Sequence, residues 1–319
     1  LKKIHRWFRL WAVDRPKIVV ICGPTASGKS AAAMELAGRF KAEIINADSM
    51  QVYRYMDIGT AKPTLEERRL VRHHLVDILF PDEGFSAALF REGAQQAIRD
   101  VEARGRKAMV VGGTGLYIKA LTSGLIRGGE VDPVVRERLQ AEARAGGRGR
   151  LYERLQEVDP ATAAQLHPHD TYRVIRALEV YERTGRPISA LRRGHRFQEG
   201  PYRVLKIGLM VEREKLYRRI DARVDWMIRQ GLKEEVTRLL EMGYSPLLKP
   251  MQSLGYKQMA AHLQGAYDLA EATRLIKRDT RRYARRQLTW FRADTEIRWI
   301  DYPRDRAALV QMAEGLWQN

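Results

Sequence analysis

Gly23-Pro24-Thr25-Ala26-Ser27-Gly28-Lys29-Ser30 is the stretch that decides the fold of this chain. It fits G-x-x-x-x-G-K-[ST] at every fixed position, the spacing of a phosphate-binding loop. The run before it, Ile18-Val19-Val20-Ile21-Cys22, is apolar, and the run after it, Ala31-Ala32-Ala33-Met34-Glu35-Leu36-Ala37, suits a helix. Strand, loop and helix in that order gather backbone N–H groups and the positive end of a helix around one anion. Lys29 adds a mobile charge, and the Ser30 hydroxyl is placed to reach a Mg²⁺. The expectation is an α/β fold, a P-loop NTPase-like parallel sheet flanked by helices, that takes a diphosphate or triphosphate. Such loops mark nucleotide- and ATP-binding proteins, yet the loop alone leaves open whether its phosphate belongs to a nucleotide.

The 319 residues carry 57 Lys and Arg against 39 Asp and Glu, a net charge of +18. An excess of that size predicts a polyanionic partner, because each phosphate matched by a cation releases counterions. A generally basic proteome is the bland alternative. Cys22 is the only cysteine, which excludes an intramolecular disulfide and any multi-cysteine metal site. His73-His74 and His167-Pro168-His169 have no carboxylate or thiolate at ligand spacing. Residues 1–16 are basic and aromatic but too interrupted by charge for a signal peptide, so they read as a terminal extension or as an amphipathic arm. No apolar run reaches membrane-spanning length, and a cytoplasmic protein without a membrane partner is expected.

Past the first helix, Ala42-Glu43-Ile44-Ile45-Asn46-Ala47 reads as a second strand with Asp48-Ser49-Met50-Gln51 at its end. Polar groups there face the crevice of a parallel sheet, so Asp48 is either a working carboxylate or a helix N-cap. Residues 74–78 suit a strand, 86–104 a helix, and 107–111 a further buried strand ending in Gly112-Gly113-Thr114-Gly115. That strand lacks the Mg²⁺-holding Asp of a motor or a switch GTPase. From about residue 126 the βα rhythm is lost until residue 202 restores it. Hence a core of 17–125 and 202–319 carries a helical insertion over 126–201. Within it, residues 171–183 form an amphipathic helix whose Arg173 and Arg176 either grip RNA phosphates or are simply solvated. Residues 212–242 are helical with a break at Gly231, and Arg219 and Arg223 share a face. Residues 274–292 hold eight Lys and Arg against one acid, Asp279, with Tyr283, Trp290 and Phe291 interleaved. The missing acidic partners favour nucleic acid over a solvated face.

Together these stretches resemble the tRNA dimethylallyltransferases, also called isopentenyl-tRNA transferases. The resemblance rests on residues 23–30, on Ile44-Ile45-Asn46-Ala47-Asp48-Ser49-Met50-Gln51-Val52-Tyr53, on Met56-Asp57-Ile58-Gly59-Thr60-Ala61-Lys62-Pro63 and on Gly112-Gly113-Thr114-Gly115-Leu116-Tyr117. Leu254-Gly255-Tyr256-Lys257-Gln258-Met259 and Arg285-Arg286-Gln287-Leu288-Thr289-Trp290-Phe291-Arg292 extend it. It implies transfer of a dimethylallyl group from its diphosphate to N6 of the adenosine 3′-adjacent to the anticodon, with Mg²⁺ as cofactor. It also implies Asp48 as the general base, Thr114 beside the reacting centre, and Arg223 with Lys29 on the diphosphate. The same resemblance assigns tRNA contacts to Asp48, Ser49, Met50, Gln51, Thr114, Arg136, Tyr172, Arg173, Val174, Ile175, Arg176, Gln252, Ser253, Leu254, Gly255, Tyr256 and Lys257. Composition adds Arg281, Arg282, Arg285 and Arg286. The partners expected are a tRNA anticodon arm and dimethylallyl diphosphate, and the working form a monomer. An enzyme on a free nucleotide, such as an adenylate isopentenyltransferase or nucleotide kinase, would share the loop but need neither insertion nor basic helix. An RNA-binding NTPase would leave RNA chemically unchanged.

Overall fold

A computed structural model describes residues 15–125, 132–195 and 200–318, so expectations about residues 1–14 and 126–131 lie outside the described residues. β1 (Lys17–Cys22) leads through the phosphate-binding loop into α1 (Lys29–Phe40), and β2 (Ala42–Asn46) follows. Then come α2 (Leu65–Leu70), β3 (His73–His74), α3 (Ala87–Ala103), β4 (Lys107–Gly112) and α4 (Gly115–Ser123). After the insertion the chain resumes with β5 (Arg203–Met210), α5 (Arg213–Arg229), α6 (Leu232–Glu241), α7 (Tyr256–Leu263), α8 (Leu269–Arg292), β6 (Ile297–Asp301) and α9 (Arg306–Gln318).

The strands form one parallel sheet in the order β3-β2-β4-β1-β5-β6. β1 is central, pairing Ile18 with Ala108 of β4 and with Val204 of β5. Residues 18–21 of β1 are fully buried, as a strand covered on both faces must be. Its side chains alternate between two cores: Ile18, Val20 and Cys22 pack on one face with Ile45, Phe90 and Val110, while Val19 and Ile21 pack on the other with Ala33, Leu36 and Met109. Burial pushes the Cys22 thiol up to about 12, which leaves it an inert core side chain.

Two departures from the sequence-based expectation stand out. The strand expected over 74–78 is only His73–His74, because Leu75 and Asp77 turn to φ of +61° and +56° and leave the ladder. β6 was not anticipated; its five residues alternate burial only weakly, in the middle of a charged segment. By contrast, Gly231 at φ +96° separates α5 from α6 where the break was expected.

Contacts divide the chain into Leu1–Thr122 with Pro201–Asn319, and Ser123–Gly200. The second unit is all helical among its described residues, with a core of its own around Leu139, Leu155, Val174 and Leu178. Glu179 organises it from a fully buried position, accepting the Asp132 N–H at 2.9 Å, Arg136 at 2.6 Å and Arg176 at 2.8 Å. Burial alone pushes its carboxyl up, but the hydrogen bonds from Arg176 and Arg136 outweigh it and the net shift is down.

Candidate active site at the phosphate-binding loop

The ends of β1, β2 and β4 lie side by side, so the loop at 23–28, the turn after Asn46 and the turn after Gly112 meet at one sheet edge. The loop conformation depends on its residue types. Gly23 sits at φ +141°, where a Cβ would come 2.9 Å from Leu209 O, and Ala26 occupies the left-handed region at φ +62°. Ser27 is fully buried and its Oγ has no hydrogen-bond partner among the described residues.

Two cations serve the loop. Lys29 Nζ donates to Pro24 O at 2.6 Å, and Arg223, from α5, donates through Nη1 to Thr25 Oγ1 at 3.4 Å. Burial, followed by the repulsion of Arg223, brings the Lys29 ammonium down to about 8. Burial likewise lowers Arg223, with Asp48 opposing. Neither cation has an ion-pair partner among the described residues, an arrangement that an anion relieves.

Asp48 belongs to the turn after β2. Its Oδ1 accepts the Met50 N–H at 2.9 Å, and no helix starts there, so the N-cap alternative falls away. Thr114 clamps this turn to β4: its N–H donates to Ala47 O at 3.2 Å and its Oγ1 accepts the Ser49 N–H at 3.1 Å. The same approach requires Gly112, where any Cβ would overlap Ala47 O. Lys29, Ser30, Asn46, Asp48 and Gln51 line a single cleft.

The other expected tRNA contacts are scattered, and several are structural. Val174, Ile175 and Tyr256 are buried, so they cannot meet RNA in this conformation. Val174 and Ile175 belong to the insertion core. The Tyr256 hydroxyl donates to Glu235 Oε1 at 2.5 Å. Arg136 and Arg176 are consumed by Glu179, whereas Tyr172 and Arg173 are exposed. In the 252–257 stretch only Gln252 and Lys257 are exposed; Ser253, Leu254 and Gly255 are part-buried or buried around the turn into α7.

The inference from missing acids on the basic helix needs correction. α5 supplies them: Asp221 takes Arg281 in a two-pronged pair, and Asp225 takes Lys277 at 2.6 Å. Within α8, Asp279 accepts Arg278 at 2.9 Å and lies 3.6 Å from Arg282. Sequence spacing could not reveal partners from another helix. Arg285, Arg286 and Arg292 remain exposed and without an acidic partner among the described residues.

Gln287 is the functional neighbour that residue patterning passed over. It is buried on the stripe of α8 that carries Ala284 and Phe291, and it bridges two parts of the site. Its Oε1 accepts the Thr25 N–H at 2.8 Å and its Nε2 donates to Gly113 O at 2.9 Å. A lone amide on an apolar stripe was the available signal, since buried polar groups need partners. One turn earlier lies Tyr283, whose hydroxyl is raised by burial and then by the Asp48 carboxylate.

This fold and loop define an α/β protein of the P-loop type. An IPP transferase family model matches residues 51–294. The tRNA dimethylallyltransferase of Geobacter metallireducens is 54% identical over 304 residues, covering 95% of this chain and 98% of that one. The corresponding protein of Syntrophobacter fumaroxidans is 55% identical over 289 residues, 91% of this chain and 84% of that one. Among solved structures, a full-length tRNA isopentenylpyrophosphate transferase from Bacillus halodurans is 40% identical with a TM-score of 0.70, over 95% of this chain and 97% of that chain. A eukaryotic dimethylallyltransferase acting on tRNA gives a TM-score of 0.82 at 28% identity, over 95% of this chain and 80% of that chain. The chain belongs to the IPP transferase family, the tRNA dimethylallyltransferases.

Proposed function

We propose that this chain transfers the dimethylallyl group of dimethylallyl diphosphate to N6 of the tRNA adenosine 3′-adjacent to the anticodon, releasing diphosphate. The observation that carries the assignment of roles is the pair of cations without an ion-pair partner among the described residues, Lys29 and Arg223, over a phosphate loop with Asp48 at the next strand end. The allylic C–O bond breaks as the N6–C bond forms, and Lys29, Arg223 and loop N–H groups take up the charge that develops on the departing diphosphate. A neutral adenine amine is too weak an acid for a free carboxylate. Asp48 therefore accepts the N6 proton only as bonding to carbon acidifies the nitrogen. Thr114 holds the Asp48 turn in place.

Ser30 offers a hard oxygen donor on the same cleft, and its Oγ makes no hydrogen bond among the described residues, which suits Mg²⁺. Mg²⁺, when bound, supplies charge stabilisation to the diphosphate. Exposed Arg285 and Arg286 on α8, with Tyr172 and Arg173 on the insertion, are the side chains we assign to the tRNA backbone. The working form in this reading is a cytoplasmic monomer. Among the described residues no helix is long and apolar enough to cross a membrane.

The test is incubation with labelled dimethylallyl diphosphate, Mg²⁺ and bulk tRNA. Label entering RNA is expected. Label reaching only a free adenine nucleotide, or tRNA-stimulated ATP hydrolysis without transfer, would overturn the reading.

A further inference from the structure

Gly28 ends the phosphate loop and caps α1 at φ +99°, with no side chain of its own to cap the helix. Its Cα face is not open. A Cβ there would lie 3.4 Å from Tyr302 Cδ1 and 3.9 Å from Tyr302 Cε1, so the edge of the Tyr302 ring rests against the end of the loop.

Tyr302 is itself tied to the helix that the loop leads into. Its hydroxyl donates to Glu35 Oε2 at 3.0 Å, and Glu35 stands on α1 about two turns beyond Gly28. Arg306 Nε donates to the other oxygen at 2.5 Å, so one carboxylate holds the connection between β6 and α9 onto α1. Asp305 closes that connection on itself: its Oδ2 accepts the Asp301 N–H at 2.9 Å, and its own N–H donates to Asp301 O at 2.7 Å. Leu309 and Ala313 of α9 then pack in one core with Ala33 and Leu36 of α1. The ring therefore has a fixed place relative to Gly28.

We infer that Tyr302 is a positioning residue for the diphosphate: clasped to α1 by Glu35, its ring braces Gly28 and sets the phosphate loop before substrate arrives. The inference rests on the reading above, in which the loop takes the diphosphate of the prenyl donor. Glycine populates φ of either sign, and a loop that its ligand must first order loses affinity by the entropy of that ordering. A ring filling the space beside the Gly28 Cα removes part of this freedom in the ligand-free chain. The brace serves the donor alone. β6 lies beyond β5, on the side of β1 away from β4 and β2, whose ends lead to Thr114 and Asp48. Tyr302 thus supports the diphosphate end of the reaction and stands apart from the acceptor end.

The experiment compares Tyr302→Ala, Tyr302→Phe and Glu35→Ala with wild-type protein, by pyrophosphate titration and by transfer kinetics with dimethylallyl diphosphate and tRNA. Tyr302→Ala should weaken pyrophosphate binding and raise KM for the donor about tenfold, the worth of fixing one residue's backbone. Turnover at saturating donor and KM for tRNA should not change. Tyr302→Phe keeps the ring and should restore most of the affinity. Glu35→Ala leaves the ring unclasped and should weaken pyrophosphate binding about threefold, a readout that stands even if Tyr302→Ala does not fold. Hydrogen exchange across residues 25–30 should quicken in ligand-free Tyr302→Ala and return to the wild-type rate with pyrophosphate bound. Wild-type pyrophosphate affinity in folded Tyr302→Ala, or in Glu35→Ala, overturns the inference. So does a fall in kcat with KM for the donor unchanged. Transfer of labelled dimethylallyl to tRNA by the wild-type protein checks the underlying reading separately.

Discussion

The Gln287 side-chain oxygen accepts the Thr25 N–H at 2.8 Å, so a helix whose outer face carries Arg285 and Arg286 also holds one backbone group of the phosphate loop. Gln287→Ala leaves that N–H and the Gly113 carbonyl unpaired in a buried place. A stability loss of about 1–3 kcal/mol is expected, with weaker diphosphate binding and tRNA affinity nearly unchanged. Chemical denaturation and equilibrium binding of pyrophosphate and tRNA measure the three effects; unaltered pyrophosphate affinity would show that Gln287 does not shape the loop.

Lys29 predicts a pH signature. Its ammonium falls from an ordinary 10.5 to about 8 in the folded chain, so between those values the folded form binds fewer protons than the unfolded form. As far as this group is concerned, the ligand-free protein gains stability as pH rises through that window. Diphosphate reverses the effect by favouring the charged form. Its affinity should therefore fall above about pH 8, with proton uptake on binding that calorimetry in two buffers detects and that Lys29→Ala abolishes. The same substitution should lower turnover by roughly a hundredfold.

Asp48→Asn separates two roles. As proton acceptor, Asp48 matters only after both substrates are bound, and the variant should hold pyrophosphate and tRNA normally while transferring the prenyl group very slowly. A pyrophosphate titration across Mg²⁺ concentrations without tRNA decides the matter. A large loss of affinity there would move Asp48 to the metal, and near-normal turnover would remove it from the chemistry.

The arginines of α8 divide into two kinds that one scan can tell apart. Arg285→Glu with Arg286→Glu should weaken tRNA binding, flatten its salt dependence and spare both stability and pyrophosphate affinity. Arg281→Glu instead sets a carboxylate against Asp221 and should cost about 1 kcal/mol of stability, modest because the pair is partly exposed. Equal tRNA binding by the folded double variant would remove this helix from the RNA interface.

Local chemistry made much of this site readable in the sequence. The loop at 23–30, the strand before it and the polar turn after Asn46 are contiguous in the chain, and each carries its own backbone and charge logic. The pairs Arg281 with Asp221, Arg136 with Glu179 and Gln287 with Thr25 were hidden because they join distant segments, and spacing says nothing about which helix faces which. Glu235 illustrates the limit. It is one acid among several on an amphipathic helix, yet it is buried because three N–H groups and the Tyr256 hydroxyl supply its solvation. Charged residues taken as an RNA footprint thus included several that hold the protein together.

The central place of β1 has a consequence for how the chain is made. Its sheet neighbours come from opposite sides of the insertion, β4 before it and β5 after. As the chain leaves the ribosome, β1 has one open edge until β5 emerges, while the insertion already holds every residue of its own core. A nascent chain exposed as far as Gly200 would carry a finished insertion and a half-built sheet. Arg223 and Gln287 would not yet have emerged, so grip on a diphosphate is among the last properties the growing chain acquires.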